Sequence, residues 1–203
     1  MFRLKKQLDR ISPTHAPIEI HLVRHAEALS DCGMDSHGPA LTPLGIKQAR
    51  LIAKHLAKQR YTAIYSSDLT RARQTADAIA TRHRNALLTL TRDLREVAGD
   101  HTNLDMSRTT EHSDRSILEE KCAMHRVVTH LRHEHTTNDH ILVVAHGNII
   151  RSLIPMLCRI HPCNAPLFEI HNTSLSIVDL WPSGRAVVRL VNCTSHLPKR
   201  MVT

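Results

Sequence analysis

Two kinds of apolar pattern alternate along the chain. Short runs rich in Val and Ile are bounded by polar residues; longer stretches carry an apolar residue every third or fourth position. Ile18-Glu19-Ile20-His21-Leu22-Val23-Arg24 and His140-Ile141-Leu142-Val143-Val144-Ala145 read as buried strands. Thr42 reads as a helix N-cap with Pro43 at the first helical position, and Gln48, Leu51, Ile52, His55 and Leu56 follow at helical spacing. A second strand is expected at about 62–66, a helix at about 69–84 and a third strand at 87–91. An irregular stretch runs from 92 to about 113 and a long helix from about 114 to 135. The strand at 140–145 leads into a helix opening at Gly147 and reaching about Cys158. The C-terminal part reads as a hairpin: 175–180, a turn at Pro182-Ser183-Gly184, then 186–191. Strands alternating with helices predict a three-layer α/β/α sandwich with a mostly parallel sheet and an antiparallel edge. Residues 1–17 are expected to form an N-terminal arm and 18–203 a single domain.

Composition narrows the class. Apolar residues make up 41% of 203, ordinary for a soluble globular chain, and no apolar run reaches the roughly 20 residues of a membrane helix. The net charge of +8 favours anionic partners. Nucleic acid is not expected, because residues able to stack on bases are scarce: one Trp, two Tyr and two Phe. Five cysteines without a C-x-x-C pattern fit a reduced, intracellular protein, so a cytoplasmic location is expected. The basic N-terminus lacks the continuous apolar core of a secretory signal and leaves an organelle-targeting role open. Seventeen histidines invite a metal reading, but the densest patch, His130 to His135, lacks a recognised ligand spacing. No metal or other cofactor is expected.

The candidate chemistry sits where strands end. The first strand ends in Arg24-His25 and the fourth in His146-Gly147. Open α/β sheets bind ligands at the carboxyl ends of their strands, so Arg24, His25 and His146 should share a crevice suited to an anion. A third segment, Ser67 through Thr75, follows the second strand and contains Arg71. Together with Arg24-His25-Ala26-Glu27, Leu41-Thr42-Pro43-Leu44-Gly45, Leu94-Arg95-Glu96 and His146-Gly147 with Ile150-Arg151, it resembles the histidine phosphatase superfamily, which contains the cofactor-dependent phosphoglycerate mutases. The motifs occur in the family's order over roughly residues 18–197.

The resemblance implies that His25 accepts the phosphoryl group, that His146 stabilises its charge and that Glu96 is the general acid. Arg24, Arg71, His146 and the amide of Gly147 would bind phosphate, since guanidinium forks and helix N-termini suit phosphate oxygens. The arginines should lower the His25 pKa, and turnover should fall well below pH 6. An ion pair with Arg95 is the non-catalytic alternative for Glu96, and Asp100 is the substitute acid. Three departures matter. Ala26 replaces the usual Gly, though its carbonyl can still orient the imidazole. Asp31 replaces a common Asn and becomes a candidate specificity residue. Asn172 and Thr173 lie where the family often places a polar strand start, and are candidate substrate-binding residues.

The span from Glu96 to His146 is 50 residues, shorter than in glycolytic mutases, which implies an open pocket that water can reach. The segments 171–177, 182–185 and 192–198 are similar to those of the branch that includes mitochondrial phosphoglycerate-mutase-like serine/threonine protein phosphatases. Three readings follow: a phosphomonoesterase acting on phosphoproteins, a small-molecule phosphatase or mutase, and a non-catalytic phosphate-binding scaffold. The expected partner is a phosphorylated substrate, and a homodimer through an edge strand stays open.

Overall fold

The structure, a computed structural model, describes residues 16–30, 36–96 and 111–203. Six strands form one sheet: β1 (Ile18–Arg24), β2 (Ala63–Ser67), β3 (Leu87–Thr91), β4 (His140–Ala145), β5 (Leu175–Leu180) and β6 (Ala186–Cys193), in the order β3-β2-β4-β1-β5-β6. The pairs β2·β3, β2·β4 and β1·β4 are parallel, and β1·β5 and β5·β6 are antiparallel. The sheet is therefore mostly parallel, as the alternating pattern implies, and β5 is the one strand that reverses.

Among the described residues four α-helices cover it: α1 (Pro43–Leu56), α2 (Thr70–Ala80), α3 (Glu111–His133) and α4 (Gly147–Cys158). Strand side chains alternate between faces, so β4 feeds two cores. Ile141, Val143 and Ala145 pack with Met124 and Leu131 of α3 and Ile150 and Leu153 of α4. Leu142 and Val144 pack with Ile52 and Leu56 of α1 and Ala76 and Ile79 of α2. Each fully buried Ile or Leu contributes about 2 kcal/mol, which fixes the register of the central strands. No helix of the described residues is long and apolar enough to cross a membrane.

Several boundaries differ from the sequence reading. Helix α2 ends at Ala80 rather than about 84: the Thr81 hydroxyl donates to Ala78 O, and the amides of Arg82 and His83 donate to Ile79 O and Ala80 O, winding the chain into a tight turn. Strand β2 sits one residue later than expected, α3 begins at Glu111 and ends at His133, and β6 runs on to Cys193. Asp31, Cys32, Asp100 and most of the N-terminal arm lie outside the described residues.

Candidate active site

Parallel pairing of β1 with β4, with Arg24 opposite Ala145, brings Arg24, His25 and His146 to one end of the sheet. His25 is buried, 7% exposed, and both ring nitrogens are engaged. Nδ1 lies 2.7 Å from Ala26 O. A carbonyl only accepts, so Nδ1 carries the proton and Nε2 keeps its lone pair. Arg71 Nε donates to that lone pair at 3.2 Å. The residue that departs from the family's glycine thus supplies the carbonyl that sets the tautomer.

His146 is fully buried, with its ring centroid 5.0 Å from that of His25. Its Nε2 is 2.9 Å from Ser67 Oγ at the end of β2, and its buried Nδ1 has no hydrogen-bond partner. His146 is also the N-cap of α4 and contributes no side-chain cap, so the first-turn amides beginning at Gly147 carry none.

Arg24 donates from NH1 to Ile170 O at 2.7 Å, while its buried Nε has no hydrogen-bond partner. Burial holds the guanidinium below its usual pKa; the nearby Glu96 carboxylate acts in the opposite sense, and Arg151 and Arg71 add to the lowering. Glu96 therefore faces the arginine electrostatically. Its alternative partner is taken elsewhere: Arg95 forms a fork with Asp68, Nε to Oδ1 at 2.6 Å and NH2 to Oδ2 at 2.8 Å. That pair fixes the segment carrying Glu96 against the start of α2.

The His25 pKa falls to about 3 and that of His146 to about 2. The expectation that arginines lower the first needs correcting in its weighting. Burial is the largest cause, the Ala26 hydrogen bond raises the value, and Arg24 and Arg71 add smaller lowering effects. For His146, burial leads and His25 follows. Both rings are therefore neutral at pH 6, in keeping with the expectation that protonation matters only well below it.

The surrounding frame holds the backbone of the site in place. Asn172 Nδ2 donates to His25 O at 2.9 Å, and the Thr173 amide donates to Arg24 O and His25 O at 3.1 and 3.3 Å. Thr173 adopts a left-handed φ of 55° to do so. These contacts give Asn172 and Thr173 a positioning role. On the other side, the Ala26 amide donates to Thr75 Oγ1, and the Thr75 hydroxyl donates to Arg71 O, tying the His25 loop to the helix that carries Arg71. Gly45 in α1 packs on Glu27: a Cβ there would lie 1.9 Å from Glu27 O, so only glycine permits the approach. Thr42 Oγ1 caps α1 through the Gly45 amide and donates to Glu27 Oε1. Pattern alone gives no individual role to Ser67, Thr75 or Gln48, which accepts from the Glu27 amide. The Ser67-to-Thr75 motif contains two of them, but nothing in a linear pattern reveals the partner.

Among the described residues, no group of three His, Cys, Asp or Glu side chains could hold a metal ion. In the histidine-rich patch, the Tyr65 hydroxyl lies between His130 Nε2 and His135 Nε2, at 3.0 and 2.9 Å.

The chain is similar in sequence and fold to several known proteins. Phosphoglycerate mutase-like protein 4 of Arabidopsis thaliana is 28% identical over 209 positions, covering 88% of this chain and 86% of its own. The mitochondrial serine/threonine-protein phosphatase Pgam5 of Caenorhabditis elegans is 26% identical over 205 positions, covering 98% of this chain and 71% of its own. In fold, the chain superposes on a phosphoserine phosphatase from Entamoeba histolytica with a TM-score of 0.70 at 24% identity, covering 89% of this chain and 100% of that one. A mycobacterial glucosyl-3-phosphoglycerate phosphatase gives 0.69 at 21% identity, with coverages of 87% and 99%. Residues 20–193 match the histidine phosphatase superfamily (branch 1), and the chain belongs to that family.

Proposed function

We propose that the protein is a phosphomonoesterase that works through a phosphohistidine on His25. The observation that carries this reading is the His25 ring itself: Nδ1 is locked on Ala26 O, and Nε2 presents its lone pair beside the Arg71 guanidinium. Nε2 attacks phosphorus, and the bond from phosphorus to the ester oxygen breaks in line. Glu96 donates its proton to the departing oxygen, which leaves as an alcohol. The Glu96 carboxylate then takes a proton from water, the water oxygen bonds to phosphorus, and the phosphorus–nitrogen bond breaks to release phosphate and restore His25.

The positive charge comes from Arg24, Arg71 and the α4 N-terminus at Gly147. Ser67 already accepts from the Leu69 amide, which leaves its hydroxyl proton to give to His146 Nε2. His146 Nδ1 then carries a proton and donates to a phosphoryl oxygen, satisfying a buried atom otherwise without a partner. These groups suffice for phosphoryl transfer, and no metal enters the scheme.

Phosphoserine and phosphothreonine proteins are the proposed substrate class. The support is the Pgam5 relative, which aligns over 98% of this chain. A small phosphomonoester is the second reading, supported by the fold it shares with the phosphoserine and glucosyl-3-phosphoglycerate phosphatases. Asp31 remains a proposed selector between the two.

Brief mixing with a phosphopeptide or with 3-phosphoglycerate, a quench that avoids acid, and intact mass measurement test the proposal. One added phosphoryl group in the native protein and none in His25→Ala is the expected result, with turnover of p-nitrophenyl phosphate lost in the variant and unaffected by EDTA. Binding with neither adduct nor turnover would overturn it in favour of a phosphate-binding scaffold.

A further inference from the structure

The opposite end of the sheet carries a second positively charged recess. A cavity of about 620 Å³ opens between the loop from α1 to β2 and the loop from α2 to β3. Gln59, Arg60, Arg82, Arg84 and Asn85 form its rim, and Tyr61 and His83 its floor. It contains no carboxylate. Strand β2 separates it from Ser67 at the catalytic end: Ala63 to Ser67 is four steps of about 3.3 Å, about 13 Å.

Two features set this recess apart from an ordinary basic surface. First, the three arginines are exposed, and among the described residues none of them forms an ion pair, whereas Arg95, Arg126 and Arg189 all do. Secondly, His83 on the floor is 7% exposed, and its buried Nε2 has no hydrogen-bond partner. Its ring stands edge-on to Tyr61, with centroids 4.9 Å apart, which fixes its orientation. A buried imidazole nitrogen without a partner is costly unless a ligand or water supplies one.

The competing explanation is that the arginines answer the helix dipoles. Helices α1 and α2 end at Leu56 and Ala80, just before them, and cations are favoured at helix C-termini. The magnitudes decide. Two helix ends offset about one unit of charge in total, at about half a charge each, and three guanidiniums leave about two positive charges in excess. That explanation also leaves His83 Nε2 unanswered.

We propose that this recess is a second anion site, separate from the catalytic crevice, that binds a compact polyanion bearing linked phosphate groups. Guanidinium forks match phosphate oxygens in pairs, three of them suit more than one phosphate, and the His83 imidazole meets the group that reaches the floor. The cavity lies within the range of small-ligand sites and exceeds what a single phosphate fills. The proposal does not depend on the chemistry assigned to His25.

The test is inorganic tripolyphosphate, followed by calorimetry and by hydrogen exchange with peptide-level mass analysis, on the whole chain. Protection of the peptides spanning 57–62 and 81–87 is expected. Affinity should fall at least tenfold in the triple variant Arg60→Ser, Arg82→Ser, Arg84→Ser, whose positions are all exposed. His83→Asn, read separately, should weaken binding severalfold. Protection confined to the segments around 24–27 and 146–150, or unchanged affinity in the triple variant, would overturn the proposal. So would the absence of measurable heat and protection at millimolar tripolyphosphate.

Discussion

At the carboxyl ends of β1 and β4, His25 and His146 are held by a backbone carbonyl, a serine hydroxyl and a guanidinium. Further back on the same strands, His21 and His140 meet a carboxylate. His21 Nε2 lies 2.8 Å from Glu19 Oε1 and its Nδ1 2.7 Å from the Tyr61 hydroxyl; His140 Nδ1 is 3.4 Å from the same Glu19 oxygen. Arg189 closes that network on Glu19 and Asp179. Burial lowers the His21 pKa as it does that of His25, so burial alone does not make a site. The difference lies in the company. Each ring gives its proton to an oxygen and accepts from a donor at its other nitrogen, but the neighbours of His21 are a carboxylate and a phenol, whereas those of His25 are a neutral carbonyl and the guanidiniums of Arg71 and Arg24. One end is neutralised by a carboxylate, and the other gathers positive charge around an unprotonated nitrogen, which is what the proposed attack on a phosphoryl group requires.

That contrast can be broken most severely at Glu96. Glu96→Gln keeps the shape and removes the proton, so kcat for an unactivated phosphomonoester should fall about 10²- to 10⁴-fold, with a smaller loss for p-nitrophenyl phosphate, whose leaving group needs less help. Equal losses for the two substrates would remove Glu96 from the acid role.

A smaller but broader effect comes from pH. His25, His146 and His196 have folded values near 3, 2 and 4, against about 6.5 when unfolded. Each is lowered, so the unfolded chain binds more protons below pH 6.5. The stability these groups contribute is present above that pH and is lost as pH falls towards the folded values. Each of His25 and His146 should cost on the order of 1 kcal/mol per pH unit between about pH 6 and 4, and the partly exposed His196 less. Urea unfolding at pH 7.0 and 5.0 should show the loss, reduced in His25→Ala by one histidine's share. An identical pH slope in the variant would mean that His25 is not held neutral by the fold. Protonation of His25 itself should not be the cause of activity lost in that window, since its ring stays neutral until about pH 3.

The finest comparison pairs one substitution from each end. Ser67→Ala removes the hydroxyl that fixes the His146 ring and should lower kcat/KM by about tenfold, the worth of one hydrogen bond. Arg189→Gln breaks the exposed part of the Glu19 network; it should leave turnover intact and change stability by less than about 1 kcal/mol. If the two variants lost activity alike, the two histidine systems would be coupled rather than separate.

Much of this arrangement was legible in the sequence. The limits of β1 and β4, the Thr42 cap and the opening of α4 at Gly147 follow from local pattern, because burial and capping leave their marks within a few residues. The meeting of Arg24, His25, Arg71 and His146 follows from parallel strands ending together. What stayed hidden depends on distant partners. Ser67 meets His146 across 79 positions, and Arg95 turns to Asp68 instead of Glu96. The sequence does not show that Asn172 and Thr173 also grip the backbone of Arg24 and His25. The weighting of burial over arginine charge in the His25 pKa also needed three dimensions, since a linear chain does not show how much water is excluded.

The pairing of β1 with β4 has a kinetic side. These adjacent parallel strands carry His25 and His146, yet more than a hundred residues of chain separate them, and β2, which brings Ser67, lies between them in sequence. Closing such long loops precedes any reward from the contacts they create, which slows folding. No early local structure can therefore hold the two imidazoles together. During biosynthesis the two rings come together only after the central strands have zipped, and the proposed phosphoryl transfer waits on that step.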